Sequence, residues 1–88
     1  MKMKYIVTTG EAGIEEIFLF LPTINHDTMA EAVSGIKNST RGNWHRVHRQ
    51  AVSAGFVSRE GVCYGRSESL GLSARPSDTQ LLARFMGG

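Results

Sequence analysis

Met3-Lys4-Tyr5-Ile6-Val7-Thr8, Gly10-Glu11-Ala12-Gly13 and Ile14-Glu15-Glu16-Ile17-Phe18-Leu19-Phe20-Leu21 lie close together near the start of the chain, and their reading decides the fold. The first segment is rich in β-branched and aromatic residues, which suit a pleated strand. The second holds two glycines able to take positive φ and reads as a turn. The third is apolar on both faces, with Ile17, Leu19 and Leu21 on one and Phe18 and Phe20 on the other. Both faces want cover, which predicts a central strand in a sheet covered at least partly on both sides. The two strands pair as a hairpin. Pro22 has no N–H to give to a ladder and ends the second strand.

Further along, Asn25 or Asp27 is placed to cap a helix. Met29, Ala32, Val33 and Ile36 recur at i, i+3, i+4 and i+7, which is one helical face, leaving Glu31, Ser34 and Lys37 for solvent. Asn38 with Gly42 marks the exit. Residues 47–57 read as a strand whose phase breaks near 49–51, which predicts a bulge or two short strands. Ser58-Arg59-Glu60-Gly61 is a turn, and residues 62–72 return with Val62, Tyr64 and Leu70 on one face. Gly55, Gly65 and Gly71 mark close backbone approach, and residues 64–69 read as an edge strand protected by charge. Ser77-x-x-Gln80 predicts a capping box opening a last short helix, with Leu81, Leu82 and Phe85 as its apolar positions. The order is β-β-α-β-β-α. It predicts an α+β single domain with a mainly antiparallel four-stranded sheet and two helices packed on it.

The 88 residues suffice for one domain with one core and little room for an enclosed cavity. An apolar fraction of 41% argues against disorder. The single cysteine, Cys63, allows no internal disulfide, which favours a reducing cytoplasm. The longest apolar run, residues 17–21, is far too short for a membrane span or a signal-peptide core. The net charge of +2 hides a split. Residues 1–31 sum to −3, residues 32–59 contain no acid and sum to +5, and the remainder balances. The middle of the chain is therefore a local source of positive potential.

That potential concentrates in Arg41-Gly42-Asn43-Trp44-His45-Arg46-Val47-His48-Arg49. Arginine offers planar donor forks to carboxylates and phosphates, and tryptophan offers a flat stacking surface. In an extended segment Trp44, Arg46 and His48 share one face, and His45, Val47 and Arg49 share the other. Arg41, Trp44, His45, Arg46, His48 and Arg49 are accordingly the candidate binding residues. An acidic patch on a partner protein suits them, and so does a nucleic acid or a phosphorylated nucleotide. The same residues also fit a tryptophan anchoring a strand in the core with a solvated basic rim.

Chemistry beyond binding has thinner support. His45 and His48 stand at i, i+3, a helical spacing that sends the rings to opposite faces of a strand, and zinc needs three or four ligands. No metal site and no cofactor is expected. Cys63, flanked by Val62 and Tyr64, reads as a small buried hydrophobe, although a cysteine and a histidine can form a nucleophile–base pair. His26 and Asp27 precede a helix and read as capping residues. Residues 9–13 lack the Lys-Ser/Thr end of a phosphate loop. No catalytic residue is assigned. A small dimeric enzyme using His26, His45, His48 or Cys63 is the remaining enzymatic alternative.

Ala54-Gly55-Phe56-Val57-Ser58-Arg59-Glu60-Gly61-Val62-Cys63-Tyr64-Gly65-Arg66-Ser67-Glu68-Ser69 resembles small phage- or prophage-encoded accessory proteins, about a fifth of the chain being involved. The resemblance implies a non-enzymatic binder, such as the anti-CRISPR inhibitors of host defence, and a protein partner. A thin core and an apolar segment with two faces to cover add the expectation of a homodimer.

Overall fold

Four consecutive buried residues, Tyr5 to Thr8, form the middle of strand β1 (Met3–Thr9) and place it inside the sheet. The computed structural model describes residues 2–10, 13–34, 36–38, 44–46 and 50–87, with 36–38 and 44–46 described by their backbone. In chain order β1 is followed by β2 (Glu15–Phe20), α1 (His26–Ser34), β3 (Ile36–Asn38), β4 (Trp44–Arg46) and β5 (Gln50–Val57). Then come β6 (Cys63–Tyr64), β7 (Arg66–Ser67), β8 (Leu72–Ser73) and α2 (Pro76–Phe85). The main sheet runs β2-β1-β5-β6 and is antiparallel throughout. The expected α+β fold, with a four-stranded antiparallel sheet and two helices, is present. The pairs β3–β4 and β7–β8 are separate two-stranded ribbons added to it.

Alternation along the strands divides the core in two. Tyr5, Val7, Ile17, Val57 and Cys63 face Leu82 of α2. Ile6, Phe20 and Ala54 lie on the opposite face, under Met29, Ala30 and Val33 of α1 and under Leu70 and Leu72. The sheet is covered on both sides, as the two apolar faces of residues 14–21 predict. Their strand is not central, however: β2 is the edge, and β1 takes the middle. Apolar faces report what lies above and below a strand, not what lies beside it. Tyr5 and Gly55 show what decides the neighbours. They are paired across β1 and β5, and a β-carbon at Gly55 would collide with the Tyr64 carbonyl and press on Tyr5 Cε1 at 3.3 Å.

Other expectations shift by a residue or two. The bulge falls at Val52, which the register skips between Val7↔Ser53 and Thr8↔Ala51. The turn at residues 58–61 forms as expected, with the Ser58 N–H donating to the Val62 carbonyl at 2.9 Å and Gly61 at φ +84°. The return over residues 62–72 is not one strand. It divides into β6, β7 and β8, and Cys63 rather than Val62 or Tyr64 points inward, because Cys63 pairs with inward-facing Val57. Gly65 makes the break at φ +80°, against Phe56. In α1, Ala30 rather than Ala32 packs on the core, and Ile36 belongs to β3. Gly35 is a weaker helix former than the residues before it, and Ile36 favours a strand.

The last helix starts differently from the Ser77-x-x-Gln80 expectation. Pro76 opens it and Arg75 is its N-cap, an order that suits proline, whose missing N–H costs nothing at a first helical position. Asp78 reaches back to accept the Arg75 N–H at 2.9 Å. Its carboxylate is 0% exposed. Tyr5 Oη donates to Asp78 Oδ2 at 2.6 Å and Arg75 Nε donates to Oδ1 at 3.0 Å. The Arg75 guanidinium then forks onto Glu15 of β2 at 2.9 and 3.0 Å. One carboxylate thus ties α2 to β1 and, through Arg75, to β2. Burial alone would push the Asp78 carboxyl up. The hydrogen bonds from Tyr5, the Arg75 backbone and the Arg75 side chain, helped by nearby Ser53, outweigh it and hold the group below its ordinary 3.8.

Three outcomes follow from this packing. Tyr5→Phe removes one donor from a buried charge and is expected to cost about 2 kcal/mol, or roughly 8–16 °C of melting temperature. The pH profile gives the sign. Folding lowers Asp78, so its contribution is full above pH 3.8 and is lost as the pH falls below it. Burial and then Asp78 raise the Tyr5 hydroxyl above 10.0, so its contribution is full below pH 10.0 and is lost as the pH rises further. Thermal melts across pH should show both declines, with the alkaline one reduced in Tyr5→Phe. Gly55→Ala should lower the urea midpoint, by about 1–3 kcal/mol in stability, through overpacking against a backbone carbonyl.

Candidate functional site

The predicted binding residues divide between described and undescribed positions. Trp44, His45 and Arg46 form β4. Arg41, His48 and Arg49 lie outside the described residues. β4 pairs antiparallel with β3, which sets Ile36 opposite Arg46, Lys37 opposite His45 and Asn38 opposite Trp44. The acid-free part of the sequence therefore supplies a ribbon distinct from the main sheet. Lys37, outside the expected cluster, is brought onto the same ribbon by strand pairing. Reading residues 36–38 as the end of a helix hides that neighbour.

His26 and Cys63 are not brought together. His26, the first residue of α1, is 5% exposed. Its Nε2 donates to the Gly55 carbonyl at 2.9 Å. The ring stands edge-on to Phe20 and Phe56, with centroids 5.3 and 5.7 Å away. The capping role expected of His26 is replaced by this structural one, while Asp27 Oδ1 accepts the Thr28 N–H at 2.9 Å. Cys63 lies across the sheet, in the cluster with Tyr5, Val57 and Leu82. Its N–H donates to Thr79 Oγ1 at 3.0 Å. Burial, and then the Asp78 charge, push the thiol above its ordinary value, which disfavours the nucleophilic thiolate. Within one copy the sheet stands between this thiol and the only histidine whose side chain is described. Among the described residues no group of three His, Cys, Asp or Glu side chains is arranged to hold a metal ion, and no helix is long and apolar enough to cross a membrane.

Sequence reasoning also passes over a groove of about 620 Å3 between β2 and α2. Ile17, Leu19, Leu81 and Phe85 give it apolar walls, and Glu15 and Arg84 lie at its margin. Phe85, expected on the packed face of the last helix, is 61% exposed, because α2 turns Leu82 inward instead. The spacing of Leu81 and Phe85, one helical turn apart, carries the signal for an outward apolar stripe. It shows only once β2 is known to be the edge. No family model, curated protein or solved structure matches the chain.

The Cys63 environment has a direct check. A thiol reagent at mildly alkaline pH should label the folded protein far more slowly than the urea-unfolded chain. Equal rates would show that the thiol is neither shielded nor raised.

Proposed function

We propose that this chain is a non-enzymatic binding protein that engages a protein partner with an acidic surface through the basic, aromatic segment at residues 41–49. The observation that carries this reading is the separation of the β3–β4 ribbon from the main sheet. A two-stranded ribbon gains little stability by itself, which favours a partner that closes on it. Lys37 and Arg46 stand on the paired strands, Arg41 lies between them in sequence, and Arg49 follows. Arginine suits desolvated carboxylate contacts. The separation of His26 from Cys63 supports binding over catalysis. The mode of action fits the phage-type accessory proteins that residues 54–69 resemble, with a host defence component as partner.

Co-purification and native mass spectrometry against candidate partners test the reading. Arg46→Glu combined with Arg49→Glu should weaken the complex about tenfold or more, chiefly through lost charge complementarity, and leave the melting temperature of the free protein nearly unchanged. A complex untouched by the double reversal removes this segment as the contact. Fluorescence anisotropy with labelled DNA, RNA and nucleotides at two salt concentrations provides the complementary arm. Tight binding that weakens steeply with salt would replace the protein partner by a phosphate-bearing one.

A further inference from the structure

We propose that the edge of β2, which no described strand pairs, binds a second copy of this chain, pairing the two β2 strands antiparallel about a two-fold axis. The inference is independent of the β3–β4 ribbon.

It starts from backbone direction. The Gly10 N–H donates to the Ile14 carbonyl at 3.2 Å, in the same register that pairs Thr9 with Glu15 and Thr8 with Glu16. Hydrogen-bonded and non-bonded pairs alternate in an antiparallel ladder. Glu16, Phe18 and Phe20 therefore exchange bonds with β1, while Glu15, Ile17 and Leu19 turn their N–H and C=O groups to the side away from β1. The far side of the sheet agrees. Ser58 N–H donates to Val62 O, so Phe56 faces β6, while Ser53, Gly55 and Val57, beyond the bulge, face β1.

The two sheet edges are unlike. β6 is only two residues long and stops at Gly65, which blunts it. β2 is six residues with no lysine, proline or described bulge. It is flanked by Ile14 and Leu21 at 66% and 53% exposure, and Phe85 overhangs its groove. A natural edge of this length and apolarity asks for cover.

A second copy fits for three reasons. The outward groups fall on alternate residues, so an axis normal to the sheet sets odd residues against odd residues. Ile17 can then face the second copy's Leu19 while both α2 helices stay on one side. Antiparallel pairing brings the exposed Ile14 end against the second copy's Leu21 end and holds the two Glu15–Glu16 pairs at opposite ends of the contact, away from like charge. Area is the third. At roughly 200 Å2 per large side chain, the exposed parts of Ile14, Leu21 and Phe85 come to ~360 Å2 per copy. A standard interface buries about 800 Å2 per partner, and the groove side chains and strand edge add to that start. The product is one continuous eight-stranded sheet, a closed isologous assembly.

Sedimentation equilibrium of the full chain, read beside amide exchange by NMR, tests this. The expected result is a reversible dimer. Ile17 and Leu19 amides should be protected at high concentration and exchange faster on dilution. Glu16 and Phe18 amides, bonded to β1, should stay protected throughout. Phe85→Lys and Leu21→Lys, both at exposed positions, should each weaken dimerisation about tenfold or more. A monomer at every concentration overturns the proposal, as does a dimer whose Ile17 and Leu19 exchange does not depend on concentration or which neither substitution weakens. Edge protection appearing only on addition of a foreign extended peptide would also overturn it, in favour of strand addition by another chain. The exchange measurement needs no variant, so it decides even if a substitution unfolds the protein.

Discussion

The carboxylate of Asp78 is buried completely and stays ionised, and the architecture is organised around making that possible. A buried charge is costly unless its hydrogen bonds are complete. Here the donors come from Tyr5, at the other end of the sequence, and from the main chain and side chain of Arg75. The positive end of α2 adds a favourable field. Each donor has a structural consequence. Tyr5 belongs to the central strand, so α2 is fixed over the middle of the sheet. Arg75 forks onward to Glu15, so the edge strand is tied down from the same point. Gly55 leaves the space that the Tyr5 ring occupies.

A body held this way leaves two surfaces with different character. The face under α2 is closed by Leu82, yet Leu81 and Phe85 remain as an outer wall beside a strand edge that no described strand pairs. The β3–β4 ribbon draws on the part of the sequence with no acidic residue. The first is apolar, and the second comes from a basic stretch of the sequence.

The fold was largely legible because it rests on local patterns. The β-formers of residues 3–8, the apolar alternation of residues 14–21 and the turns around Gly13 and Gly61 carry the strands and their antiparallel order. Strand neighbours were not legible, since a two-faced apolar pattern is silent about edges, and β2 proved to be one. The cap of α2 was visible in principle. Pro76 followed by Asp78 is a helix-start signal, but Ser77-x-x-Gln80 two residues later imitates it with a commoner motif. The role of His26 is hidden because the carbonyl it donates to, that of Gly55, lies 29 residues away. Of the expected binding segment, Trp44, His45 and Arg46 can be placed on a strand, and its pairing with Lys37 is a contact that no periodicity signals.

The ionisation of Asp78 is the claim on which the packing account stands. A carbon-13 NMR titration of its side-chain carboxyl, followed through the acid range while the protein remains folded, measures it directly. The account predicts a midpoint below the ordinary 3.8. A midpoint at or above that value would mean that burial outweighs the Tyr5 and Arg75 donors, and would contradict the arrangement described for the whole of α2.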